Sequence, residues 1–216
     1  MIKNKKIKAV IFDLDGVLVE AKEWHYLALN KALKHFGFKI DRVEHLTTYD
    51  GLPTKVKLNR LSKEKRLPIK LQSFISELKQ KYTEEFFFTE CKPNFYHQAL
   101  MIRLKEENYK IVVASNSIRN TVKSALKLSN LLKYVDFFLS NEDVSKPKPS
   151  PEIYKKATKK LKMNSKNILV VEDNFNGIRA AKSARCNLLE VENVNDVNEI
   201  NVFNKIYEIE NKNKLK

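Results

Sequence analysis

Short unbroken apolar runs alternate along this chain with longer stretches whose apolar residues recur every three to four positions. The runs at residues 9–12, 110–114, 135–139, 167–171 and 186–191 predict strands, the first buried on both faces. Helical spacing of Trp24, Leu27, Ala28, Ala32, Leu33 and Phe36 predicts a helix over about 22–35, which Gly37 can end. Asp41 can cap a further short helix. The turn Gly51-Leu52-Pro53-Thr54 feeds a helix reaching about 66, and Leu71, Phe74, Ile75, Leu78, Tyr82 and Phe86 share one face of another over about 70–90. Further helices are predicted at about 94–107, 118–128, 151–161 and 176–184. Nothing between 20 and 91 resembles a buried strand. The pattern is therefore an α/β protein, a parallel sheet covered by helices on both faces, with an all-helical insert of about seventy residues after the first strand.

Residues after Glu192 are rich in Asn and Lys, no element is predicted there, and Leu215 and Lys216 are expected to fray. There are no internal repeats. Of the four glycines, Gly16, Gly51 and Gly177 fall at predicted turns, the placement that a need for unusual backbone angles produces.

At 216 residues there is room for one core domain and a small insert. No apolar run approaches the roughly 20 residues of a membrane span. The basic stretch 1–6 runs straight into the first strand, which a cleaved leader would remove, so a cytoplasmic protein is expected. Cys91 and Cys186 have no metal-like spacing and read as free thiols in a reducing compartment. The net charge of +15 favours anionic substrates; nucleic acid is not the expected partner, because the lysines are scattered and do not alternate with aromatics.

The candidate chemistry collects at strand ends. Residues 9–12 lead into Asp13-Leu14-Asp15-Gly16, and two carboxylates that repel each other invite a cation; hard oxygen ligands point to Mg²⁺ rather than Zn²⁺. The second motif strand leads into Ser115-Asn116-Ser117, and the run ending at Val171 leads into Glu172-Asp173-Asn174. Between them, Lys146-Pro147-Lys148-Pro149-Ser150-Pro151 cannot be helical until its prolines end. In open α/β sheets, ligands sit at such carboxyl ends.

An aspartate pair, a hydroxyl, a lysine and an acidic pair, in that order, resemble the haloacid dehalogenase (HAD) superfamily of aspartate-based phosphohydrolases, in its phosphatase and β-phosphoglucomutase-like branch. Asp13-Leu14-Asp15-Gly16-Val17-Leu18 together with Glu172-Asp173-Asn174-Phe175-Asn176-Gly177 carries the resemblance, which runs from about Ile7 to Leu189. It implies a Rossmann-like core at 1–19 and 92–216 and a helical cap at 20–91. It implies Mg²⁺-dependent hydrolysis of a small phosphorylated metabolite, a sugar phosphate or similar, by a monomer or dimer. A phosphomutase using the same intermediate and a non-catalytic phosphometabolite-binding protein are the alternatives.

By that resemblance Asp13 is the nucleophile that forms an aspartyl-phosphate, and Asp15 the general acid/base. The metal would be held by Asp13, the main-chain carbonyl of Asp15, and Asp173, with Glu172 acting from beside it or through water. Ser115 would donate to a phosphoryl oxygen with help from the Asn116 amide, although a serine before a helix can also serve as a cap. Lys146 and Lys148 both fit the local pattern; the family's Lys-Pro-x-Pro-acid-Ile-aromatic register selects Lys148 to balance Asp13 and the transferring charge. His25, twelve residues after Asp13 on the first insert helix, is either a substrate contact or a surface histidine. Ala21 stands where many relatives carry Ser or Thr. Thr54 stands where hexose-phosphate mutases tend to carry an arginine, which weakens the mutase reading.

Overall fold

A computed structural model describes residues 6–211. The chain divides into two compact units, Glu20–Cys91 and the residues flanking that segment on both sides. In the flanking unit, β1 (Ala9–Phe12), β2 (Lys110–Ala114), β3 (Phe137–Leu139), β4 (Ile168–Glu172) and β5 (Asn187–Glu190) form one parallel sheet ordered β3-β2-β1-β4-β5. Every residue of β1 and β4 is buried, as a parallel sheet with both faces covered requires.

The order of the strands positions the chemistry. β1 is central and pairs with both β2 and β4, with Phe12 level with Val113 on one side and Val171 on the other. The three segments that leave these strands therefore emerge side by side. The chain first builds outward from β1 to β3, then returns to the other side of β1 to lay down β4. That reversal is the switch point at which open α/β sheets leave a crevice.

The helical unit contains α1 (Lys22–Lys34), α2 (Arg42–Glu44), α3 (Thr54–Glu64) and α4 (Gln72–Glu90), with α1 packed along α4. Leu29, Leu33, Leu58, Leu61 and Ile75 make its core. Gly37 ends α1 with φ +75° and its N–H on the Lys34 carbonyl, and Asp41 and Glu44 form a reciprocal cap on α2.

The sheet is covered by α5 (Phe95–Glu106), α6 (Arg119–Leu128), α7 (Glu152–Leu161), α8 (Phe175–Ser183) and α9 (Glu199–Asn211). Ile153 and Ala157 of α7, with Ala180 and Ala181 of α8, pack against Ile11, Val112 and Val170. The strand predicted at 135–139 is regular only from Phe137; just before it, Asp136 donates its N–H to the Ile111 carbonyl (2.8 Å) and folds its carboxylate onto the Ile111 N–H (2.8 Å) and onto Lys105 and Lys110 (2.6 and 3.0 Å).

Two expectations are corrected. Residues 199–211 are a helix, not an element-free tail: Val202, Ile206 and Ile209 bury one stripe beneath an Asn-rich exterior. Gly177 lies inside α8 rather than at a turn, and it is not among the glycines with positive φ. The expected fraying of Leu215 and Lys216 concerns residues outside those described. Among the described residues no helix is long and apolar enough to cross a membrane.

Candidate active site

Asp13 directly follows β1, and its own N–H still donates to the Val171 carbonyl (3.0 Å), so its main chain is pinned to the sheet. The residue is 7% exposed. Lys148 reaches it from the loop before α7: its Nζ donates to Asp13 Oδ1 (2.6 Å), Glu172 Oε1 (2.6 Å) and the Ala114 carbonyl (2.8 Å). Those three bonds use all three ammonium protons. A lysine only 4% exposed is tolerable because two carboxylates and a carbonyl replace its water. Burial opposes the charge on Lys148, but Asp13 and Glu172 together outweigh it and hold the ammonium protonated. On Asp13, burial pushes the carboxyl up and the neighbouring acids Glu172, Asp173 and Asp15 add to that, against the pull of Lys148.

The loop that delivers Lys148 is clipped at two points. Asn116 Oδ1 accepts from the Lys148 N–H (3.0 Å) and Asn116 Nδ2 donates to the Lys148 carbonyl (3.3 Å). Glu152 accepts from the N–H groups of Ser145 (2.7 Å) and Lys146 (2.9 Å). Lys146 itself is exposed.

Beside them, the hydroxyls after β2 converge on Asp15. Ser117 Oγ donates to Asp15 Oδ2 (2.7 Å), and Ser115 Oγ approaches the same oxygen (3.4 Å) while accepting the Ser117 N–H (2.9 Å). Helix α6 starts four residues after Ser115, with Ile118 in the cap position, so helix capping does not account for Ser115. His25 belongs to the helical unit, where its Nδ1 lies 3.1 Å from Lys79 Nζ and its ring 6.0 Å from that of Phe87.

Glu172 accepts four hydrogen bonds. Oε1 accepts from Lys148 Nζ and from Tyr154 OH (2.7 Å), and Oε2 from the N–H groups of Asp173 (3.1 Å) and Asn174 (3.4 Å). Gly177 leaves the space it occupies: a Cβ there would stand 1.7 Å from Glu172 Oε1. This is why the position needs glycine inside a helix, and neither a turn nor an unusual φ is involved. Sequence reasoning missed Ser117, Tyr154 and the role of the Asn116 side chain. For Tyr154 a signal existed, the aromatic that closes the Lys148-Pro149-Ser150-Pro151-Glu152-Ile153-Tyr154 register.

Among the described residues, Asp13, Glu172 and Asp173 bring carboxylate oxygens within 4.8 Å of one another. Three acidic side chains gathered around the single Lys148 make an all-oxygen donor set, which fits a hard divalent cation.

A buried carboxylate, a lysine and an acidic cluster thus meet at the switch point of a parallel sheet, where α/β enzymes bind their ligands. The chain matches the model of the haloacid dehalogenase-like hydrolases over residues 10–191 and belongs to that family. It is 34% identical over 180 residues to a PpaX protein of Caldanaerobacter subterraneus subsp. tengcongensis, covering 83% of this chain and 79% of that one. It is 27% identical over 179 residues to a phosphoglycolate phosphatase of Aquifex aeolicus, covering 82% and 81%. Among solved structures, β-phosphoglucomutase from Clostridium difficile superposes with a TM-score of 0.81 at 25% identity, covering 94% of this chain and 98% of that one. The hydrolase family match and the phosphatase relatives among these mark the chain as an enzyme, consistent with a phosphoric monoester hydrolase.

Proposed function

We propose that this chain is a Mg²⁺-dependent phosphatase that hydrolyses a small phosphorylated metabolite, a sugar phosphate or similar, through an aspartyl-phosphate on Asp13. The observation that carries this reading is the buried Lys148–Asp13 pair set against the Glu172–Asp173 acids at the end of the central strand. A buried carboxylate whose charge is met by a fixed ammonium is oriented for attack, and its aspartyl ester divides one hard displacement into two.

In the first step an Asp13 oxygen bonds to phosphorus, the bond to the leaving oxygen breaks, and Asp15 passes that oxygen a proton. In the second, a water oxygen bonds to phosphorus, the aspartyl bond breaks, and Asp15 takes the water's proton. Ser117 holds Asp15 for both transfers. Lys148 counters the charge on Asp13 and on the phosphoryl oxygens, with Ser115 and the Asn116 amide as further donors. Asp13, Asp173 and the main-chain carbonyl of Asp15 would hold Mg²⁺, with Glu172 beside them. The ion would neutralise part of the transferring phosphoryl charge.

Residues 20–91 act in this reading as the cap that selects the substrate, with His25 one of its candidate contacts. A cytoplasmic location is proposed with this reading, Cys91 and Cys186 being thiols and not a disulfide pair. Similarity to a β-phosphoglucomutase supports a second reading, transfer to a sugar hydroxyl. Against it, Arg42 of the helical unit is paired with Glu23, and Arg60 is engaged by Glu64 and the Thr48 carbonyl.

The test is release of inorganic phosphate from an aryl phosphate and from hexose 1-phosphates with Mg²⁺. Asp13→Asn should lower turnover by more than about 10³-fold in a folded protein, and a chelator should abolish it reversibly. Ca²⁺ should inhibit, its coordination being larger and looser. Activity of Asp13→Asn within about tenfold of the parent removes the nucleophile assignment. Interconversion of hexose phosphate isomers with almost no phosphate release replaces hydrolase by mutase.

A further inference from the structure

The buried face of α7 is apolar except at one point. Ile153 and Ala157 fill the core beside Tyr154, which is fully buried and offers a hydroxyl that a phenylalanine of nearly the same shape would lack. Burying a hydroxyl costs free energy unless it is bonded, and this one has a particular partner, Glu172 Oε1 at 2.7 Å. Burial, then the charges of Glu172 and Asp13, push the phenol far above its ordinary range, so it remains a donor.

That oxygen is shared. Lys148 Nζ donates to it at 2.6 Å while donating to Asp13 Oδ1 at 2.6 Å. The same ammonium lies 5.1 Å from the centre of the Tyr154 ring. The ammonium is thus suspended between two carboxylates, and its distance from Asp13 depends on where Glu172 stands. Oε2 is tied to the backbone by the N–H groups of Asp173 and Asn174, whereas Oε1 meets Lys148, the Tyr154 hydroxyl and the space above Gly177.

Resting on the function proposed above, we infer that Tyr154 is a positioning residue: its hydroxyl, opposite the open Cα of Gly177, fixes the Glu172 oxygen that holds the Lys148 ammonium on Asp13. Tyr154 touches neither the nucleophile nor the reacting phosphoryl group. Without the hydroxyl, Oε1 has Lys148 as its remaining donor, the ammonium is drawn toward Glu172, and Asp13 loses part of its charge compensation. The effect falls on the transfer step, because the charge that Lys148 must counter on Asp13 and the phosphoryl oxygens develops there.

The experiment is a double-mutant cycle in the full-length chain with Mg²⁺ and an aryl phosphate. Tyr154→Phe should lower kcat about tenfold and leave KM within about twofold. In the Glu172→Gln background the same substitution should change kcat by less than about twofold, because two changes acting through one carboxylate do not add. Equal losses in both backgrounds, a kcat of Tyr154→Phe within about twofold of the parent, or a raised KM at unchanged kcat would each overturn the inference. If Glu172→Gln has no measurable turnover, a crystal structure of Tyr154→Phe decides. Displacement of Lys148 Nζ or of the Glu172 carboxylate supports positioning, and retention of both 2.6 Å contacts overturns it. Failure of the phosphatase reading would instead show as a parent enzyme that releases almost no phosphate, and failure of the nucleophile assignment as an active Asp13→Asn, so these outcomes are separable from the Tyr154→Phe result.

Discussion

Replacing Gly177 by alanine sets two effects of opposite sign against each other. Gly177 lies inside α8, and helix propensity alone makes Gly→Ala stabilising by roughly 0.5–1 kcal/mol. The added Cβ would stand 1.7 Å from Glu172 Oε1, 2.0 Å from its Cδ and 2.3 Å from Oε2. Ordinary contact begins near 3.4 Å, so the carboxylate must retreat by well over an ångström. A retreat of that size is incompatible with the 2.6 Å bond from Lys148 and the 2.7 Å bond from Tyr154. Disrupting a buried pair by displacing one partner costs about 3–5 kcal/mol, several times the propensity gain. A net loss near 3 kcal/mol corresponds to a melting temperature lower by roughly 6–12 °C for a chain of this size. Misplacing the lysine by about 1 Å should lower kcat by roughly 10²-fold. Thermal unfolding followed by circular dichroism, with phosphate release on the same preparation, measures both. A variant that melts at or above the parent temperature and keeps kcat within about threefold would refute the steric reasoning.

The two lysines of the proline-rich loop should behave oppositely. Lys148→Met leaves two buried acids uncompensated and should cost about 3–5 kcal/mol and essentially all turnover, whereas exposed Lys146→Met should stay within about 0.5 kcal/mol. Comparable losses from both would discredit the choice between them. Burial holds His97 and His45 below the usual histidine range. Each therefore binds a proton more readily unfolded than folded, so stability present above about pH 6.5 should fall as pH drops below it. His97→Gln, which can keep a donor for the Val194 carbonyl, should reduce the slope of melting temperature against pH between about 7 and 5. An unchanged slope would assign the acid lability to other groups.

Much of the architecture could be read along the chain because its parallel strands are buried on both faces and so appear as plain apolar runs. The chemical residues stand out where those runs stop: Asp13 after β1, Ser115 after β2 and the Glu172–Asp173 pair at the end of β4. The helix at 199–211 escaped notice because asparagines break up the look of a stripe that Val202, Ile206 and Ile209 in fact maintain. Gly177 was misread because glycine serves two unrelated needs, unusual backbone angles and the absence of a Cβ, and a sequence does not distinguish them.

What the sequence determined by itself is therefore local: residue types, the periodicities that make strands and helices, and the order in which candidate groups leave the strands. Adjacency was decided by the tertiary structure. Nothing local states that β1 lies between β2 and β4, yet that order brings Asp13, Ser115 and Glu172 to one edge. Lys146 and Lys148 precede prolines in the same way, and one of them enters the core because buried carboxylates across 135 and 24 residues of chain await its charge. Contacts between residues so far apart depend on packing many elements at once, and the neighbours of each residue along the chain carry almost no information about them.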